Sequence, residues 1–165
     1  MYVDFDKLSD NARIWVYQAD RPLADTEVKT VEELLKPALS QWAAHGQPLL
    51  ASVNVSENRF VVIGLDEEYS LPSGCSIDDS VRTLRNVGQQ LGVDFFDRSA
   101  AVQLTDESVV TISLPAIKNA VVDGQLTPDT FVFNTLVKTK AEFLTNWRIR
   151  AANSWLSRYF KQAVV

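Results

Sequence analysis

Leu49-Leu50-Ala51-Ser52-Val53-Asn54-Val55, then Ser56-Glu57-Asn58, then Arg59-Phe60-Val61-Val62-Ile63-Gly64-Leu65-Asp66 is the stretch on which the fold turns. Both arms are rich in apolar and β-branched residues, and so short a connection forces an antiparallel hairpin. The run Val61-Val62-Ile63 marks its second arm as a central strand. On the N-terminal side, Ala12–Gln18 reads as a first strand after the turn-like Ser9-Asp10-Asn11. A helix follows, capped by Asp25, with Val28, Val31, Leu34, Leu35, Ala38, Leu39 and Trp42 at helical spacing to about Ala44. Pro37 predicts a kink or a break there, and Gly46 a terminator.

On the C-terminal side, Ser76 begins a helix to about Leu91, with Asp78 and Asp79 in its first turn, Gly92 beyond its end and Gly88 off its apolar stripe, where it weakens the helix slightly. Ala100–Leu104 and Ser108–Ser113 alternate around Thr105-Asp106-Glu107 as strands. Pro115 opens a short helix closed by Gly124, and Phe131–Val137 reads as a further strand. Thr139 and Glu142 have capping-box spacing ahead of one or two helices anchored by Phe143, Leu144, Trp147, Trp155, Leu156 and Phe160.

The order β-α-β-β-α-β predicts an α+β protein with a ferredoxin-like core and an antiparallel sheet. A mixed sheet with helices on both faces is the alternative. The chain reads as a single domain, 1–165, with the core at 1–113 and an extension at 114–165 that adds a strand and a basic helical tail.

The net charge of −5 is uneven: residues 138–165 hold 6 of the 16 basic and 1 of the 21 acidic residues, leaving +5 there and −10 in the body. An acidic body repels a phosphate backbone, so no nucleic-acid partner is expected, and the basic tail reads as docking on its own domain. No long apolar run and no signal-peptide pattern is present, so no membrane association is expected. One cysteine and one histidine exclude an internal disulfide and the usual zinc ligand sets. No metal or other cofactor is expected, and a reducing cytoplasm is the expected location.

In a ferredoxin-like core, His45, Asp66, Glu67, Ser73 and Cys75 meet at one end of the sheet. Cys75, with Ser73, Gly74 and Ser76 around it, precedes a helix N-terminus, where free amides and the helix dipole favour a thiolate. His45 is placed to exchange its proton and Asp66 or Glu67 to orient the imidazole. Asp78 and Asp79 compete for the same amides. The plainer assignment makes Ser76 a cap, Gly74 a turn residue and Cys75 a small buried side chain. A phosphatase loop is not matched, because six residues separate Cys75 from Arg82 where those enzymes have five.

Leu8-Ser9-Asp10-Asn11-Ala12-Arg13-Ile14-Trp15-Val16-Tyr17, Trp42-Ala43-Ala44-His45-Gly46, Asn58-Arg59-Phe60, Ser73-Gly74-Cys75-Ser76-Ile77-Asp78 and Asn153-Ser154-Trp155 together resemble a family of small uncharacterised bacterial proteins often labelled ABC transporter ATPase. An ATPase of that class uses a phosphate loop and a Leu-Ser-Gly-Gly-Gln signature; the chain has neither, nor a G-x-G-x-x-G or H-E-x-x-H motif. The resemblance carries no catalytic residue across. The expected function is that of a non-enzymatic domain acting by self-association or with a protein partner, through open sheet edges. The alternative is a thiol-dependent enzyme or small-molecule-binding protein using Cys75 and His45.

Overall fold

The computed structural model describes residues 1–41, 43–44, 47–48, 50–66 and 74–161, with the backbone alone at 43–44, 47–48 and 74–77. In chain order the regular elements are β1 (Arg13–Gln18), α1 (Asp25–Ser40), β2 (Ala43–Ala44), β3 (Gln47–Pro48), β4 (Leu50–Ser56), β5 (Phe60–Asp66), α2 (Gly74–Leu91), β6 (Ala100–Gln103), β7 (Val109–Ile112), α3 (Ile117–Val122), β8 (Phe131–Phe133), α4 (Lys140–Asn146) and β9 (Arg148–Arg150). They form two compact units: Met1–Asp97 with Leu136–Thr145, and Arg98–Thr135 with Asn146–Val165. Residue 113, where the sequence places the end of the core, lies inside the second unit.

The first unit is built on the antiparallel sheet β1-β5-β4, with β5 central as its apolar run predicts. Glu57 and Asn58 both take left-handed backbone at the hairpin turn (φ 58° and 49°). The Asn58 amide donates to Leu23 C=O and to the Asp25 carboxylate at 3.1 and 2.8 Å. Asp25 is therefore not the cap of α1. Ala24 holds that position, and its N–H donates to the Glu27 carboxylate at 3.0 Å. Pro37 neither splits nor breaks α1; it removes one amide near the end, and the helix closes at Ser40.

Val31, Leu35 and Leu39 of α1 and Leu84 and Val87 of α2 bury against Ala51, Val53, Val61, Ile63 and Leu65. Gly88 was expected merely to weaken α2, but it has a packing role. A Cβ there would lie 2.4 Å from Val93 C=O and 3.2 Å from the Phe95 ring, so only glycine lets the chain leaving α2 fold back so closely. On the opposite face of the sheet, Gly64 faces Leu8, Phe5 and Ile14, and the Phe5 ring meets Phe143 of α4 edge-on at 5.7 Å.

The α+β class stands, with two main antiparallel sheets. Of the four strands of a ferredoxin-like sheet, β1, β5 and β4 adjoin in the order that arrangement requires. The fourth, Ala100–Gln103, does not join them: β6 pairs with β7 and β8. A tight turn, in which Leu104 N–H donates to Ser108 C=O at 2.9 Å, makes β6 and β7 a local hairpin with its own core. Beside β1 run residues 138–140 instead, through Ile14 N–H to Lys138 C=O at 3.0 Å and Lys140 N–H to Ala12 C=O at 2.9 Å.

The second unit holds the antiparallel sheet β7-β6-β8-β9. Val102, Ile117, Leu126, Val132 and Leu156 are central to its core. The strand expected over Phe131–Val137 ends at Phe133, and the basic tail is not wholly helical: after α4 it forms β9 and two short 3-10 turns, Ala151–Asn153 and Trp155–Tyr159. Three residues of alternation in Arg148-Ile149-Arg150 are too few to announce a strand; pairing with β8 makes it one.

Lys140, 6% exposed, explains how the tail docks. Its ammonium donates to the backbone carbonyls of Leu8 and Asp6 at 2.7 and 3.0 Å. Neutral oxygens, rather than the acidic surface the charge asymmetry pointed to, receive it. Lys140→Met removes these charge-assisted bonds and is expected to cost about 2 kcal/mol in urea unfolding.

Arg21 donates to both oxygens of Glu27 at 2.9 and 2.7 Å and to Leu91 C=O at 2.8 Å, joining the start of α1 to the end of α2. The Arg21 hydrogen bonds, reinforced by the Ala24 amide, hold the Glu27 carboxyl down at about 2, against an ordinary 4.5. The folded state thus favours ionised Glu27. Its stabilisation is complete above about pH 5 and is lost as pH falls through the folded value. The urea midpoints of the protein and of Glu27→Gln should therefore differ most near neutrality and converge towards about pH 2.

Candidate functional site

Two regions carry the functional question, one in each unit. In the first, β5 ends at Asp66 and α2 begins at Gly74. His45, Glu67 and Ser73 lie outside the described residues; Gly74, Cys75 and Ser76 are described as the backbone of the first turn of α2. Asp66 is placed in full. It is 4% exposed and accepts the Ser9 N–H at 3.4 Å. It alternates with Leu65, which packs in the helix-covered core, so its carboxylate turns towards the N-terminal segment and away from the face that carries α2. A contact between Asp66 and His45 lies outside what the described residues include.

The start of α2 differs from the expected one in a way that bears on Cys75. The helix begins two residues earlier than Ser76, its first turn contains no acidic residue, and Asp78 and Asp79 fall beyond it. Asp79 accepts a hydrogen bond from Arg82 at 3.1 Å. The competition of the two aspartates for the first-turn amides is accordingly weaker than the sequence implies.

In the second unit a surface groove of about 470 Å³ lies between the β6–β7 turn and the segment entering β8. Gln103, Leu104, Asp106, Asp129, Thr130 and Phe131 line it. Three of its polar residues are engaged by neighbours outside the lining. Asp106 accepts the Ser108 hydroxyl and amide, which hold its carboxyl below the usual range. Arg150 donates to Asp129 at 3.4 Å and lies 5.2 Å from the Phe131 ring centre. Thr130 Oγ1 accepts the Thr127 N–H at 2.9 Å. Among the described residues no group of three His, Cys, Asp or Glu side chains is placed to hold a metal ion.

The same unit shows an asymmetry between sheet edges. In the first unit, the N-terminus joins β4 at Ala51, whose N–H donates to Met1 C=O and whose C=O accepts the Val3 N–H, each at 3.0 Å. β1 is covered by residues 138–140. In the second, β9 ends the sheet with Arg148 and Arg150, the charged side chains that discourage pairing with another chain. β7, at the other end, is Val109-Val110-Thr111-Ile112, without a charge, a proline or, among the described residues, a second neighbouring strand. Leu104, Val110 and Leu114, along this strand and its flanks, are 43%, 38% and 46% exposed. The uncharged run from Ser108 to Ile117 was the signal for this in the sequence.

No family model matches the chain, and no curated protein or solved structure is similar to it. Among the described residues no helix is long and apolar enough to cross a membrane.

Proposed function

We propose that this protein is a non-enzymatic cytosolic module that works by association, and that its second unit supplies the contact surface. One observation carries this: β7 ends its sheet as an uncharged strand with Val110 exposed, and no second strand neighbours it among the described residues. An uncovered strand edge with exposed apolar side chains is a template for pairing with another chain. The βαββα order of the first unit is read as a ferredoxin-like frame whose fourth-strand place is taken by residues 138–140. In that frame the first unit is the scaffold and the second the contact element. Sedimentation equilibrium over a wide concentration range should give a weight-average mass rising above the 18.5 kDa of one chain. A mass that stays at one chain throughout would remove self-association and leave a different protein as the partner.

The start of α2 favours a second reading, in which Cys75 is a reactive thiol. With Gly74 as its first residue, an 18-residue helix places Cys75 in the turn where free amides stabilise a thiolate, and the aspartates lie beyond that turn. The rate of alkylation by iodoacetamide against pH separates the two. Association without thiol chemistry predicts a Cys75 that titrates at about 8.5 or above, or reacts only on unfolding; a midpoint below about 7 would favour the thiol reading.

A further inference from the structure

We propose that the fork between β6 and β8 is a docking groove for a protein segment that presents an arginine beside an apolar residue. This rests on the reading of the second unit as the contact surface and names the chemistry of its partner.

The groove follows from how the sheet divides. One ladder pair, Val102 with Val132, joins β6 to β8. Beyond it the strands part: β6 runs into its hairpin with β7, while the entry to β8 pairs with β9, Phe131 opposite Arg150. The groove of about 470 Å³ lies in this fork, and its two banks are alike. One bank, at the β6–β7 turn, offers Leu104 and Asp106; the other, at the entry to β8, offers Asp129 and Phe131. Leu104 and Phe131 are 43% and 46% exposed. Each bank thus sets an exposed apolar side chain two residues from a carboxylate.

That pairing selects the occupant. A purely apolar ligand would desolvate both carboxylates without a partner, and a metal ion would gain nothing from Leu104 and Phe131. A long cationic side chain uses both, because its methylene stem covers apolar surface while its head reaches an anion. The aromatic ring beside a carboxylate favours a guanidinium over an ammonium, since the guanidinium stacks and donates in the same plane. The chain supplies an instance of the contact: Arg150 lies 5.2 Å from the Phe131 ring centre and donates to Asp129 at 3.4 Å. That bond is long, and the Asp129 side chain is 86% exposed, so the carboxylate keeps the capacity to accept a second guanidinium. On the opposite bank Asp106 pairs with no lysine or arginine among the described residues. The Ser108 hydroxyl and amide both donate to its Oδ1, which fixes the carboxylate and leaves Oδ2 for a donor from outside. Glu107, next in the turn, adds to the negative field.

The test uses the full chain and the fluorescein-labelled peptide Gly-Arg-Leu-Arg-Gly, followed by fluorescence anisotropy beside peptides with citrulline or glutamate in place of both arginines. The arginine peptide should bind saturably, at least about fivefold more tightly than the citrulline peptide, and more weakly as salt rises. Asp106→Asn with Asp129→Asn removes both charges and keeps an acceptor for Ser108; it should weaken binding at least about fivefold with an unchanged far-ultraviolet spectrum. Glu32→Gln with Glu33→Gln, which removes the same charge from α1, should leave binding as it was. Equal binding of the citrulline peptide, no loss in the double asparagine variant, or an equal loss in the α1 variant overturns the groove. So does saturable binding of spermidine without binding of the peptide, which would make the occupant a small polyamine. None of these outcomes touches the association reading, which the sedimentation mass decides. A chain that stays monomeric yet binds the arginine peptide through Asp106 and Asp129 keeps the groove and gives it a partner other than a second copy.

Discussion

The 3-10 turn Phe5–Lys7 and the residues around it end in carbonyl oxygens with no helical partner, and the Lys140 ammonium binds two of them from 132 and 134 positions away in sequence. That contact fixes a whole segment. With Lys140 seated, residues 138–140 run beside β1, Ala141 N–H reaches Asp10 C=O at 2.9 Å, and Phe143 closes on Phe5. The first unit is therefore not complete at Asp97; it is finished only when the chain, after building most of the second unit, returns through Leu136–Thr145. Such long-range closure costs chain entropy, and a buried cation with two carbonyl partners is one of the terms that offset it.

The same return decides what the edges of the sheets can do. A β-sheet leaves two rows of backbone donors and acceptors at its outer strands, and each must be paired, guarded or left for a partner. In the first unit Met1–Val3 meet β4 at Ala51, and residues 138–140 run beside the start of β1. In the second unit the two ends are treated differently: arginines flank Ile149 on β9, and nothing comparable stands on β7. A strand of valines, threonine and isoleucine left in that state is soluble only if short or matched. At four residues it is short.

Most of the local structure was legible because it is written in short-range patterns: the hairpin in its β-branched arms around Glu57-Asn58, α2 in the stripe of Leu84, Val87 and Leu91, the helix end in Gly92. What was not legible depended on distant partners. The period of Ala100–Gln103 is that of a strand wherever it pairs, so the sequence could not tell β1 from β7 and β8 as its neighbours. Lys140 reads as a surface charge until the carbonyls of Asp6 and Leu8 are seen around it. Gly88 reads as a helix weakness until Val93 and Phe95 are found against it. Asp66 was rightly placed at the end of a strand, but its direction follows from the alternation with Leu65 and the presence of Ser9, which no linear motif displays.

The two functional signals lie in different units and rest on different physics, which keeps them separable. A thiol in the first turn of α2 gains from unpaired amides, an effect confined to about one helical turn and sensitive to where the helix begins. A shift of two residues in that start, from Ser76 to Gly74, is enough to place Asp78 and Asp79 beyond the first turn and weaken their competition. Edge pairing by β7 depends on no ionisable group within the strand. It rests on the uncharged strand and on Val110, exposed opposite the buried Val102. Changes of pH should therefore act on the first signal and leave the second nearly untouched, whereas a charge placed at Val110 should act on the second alone.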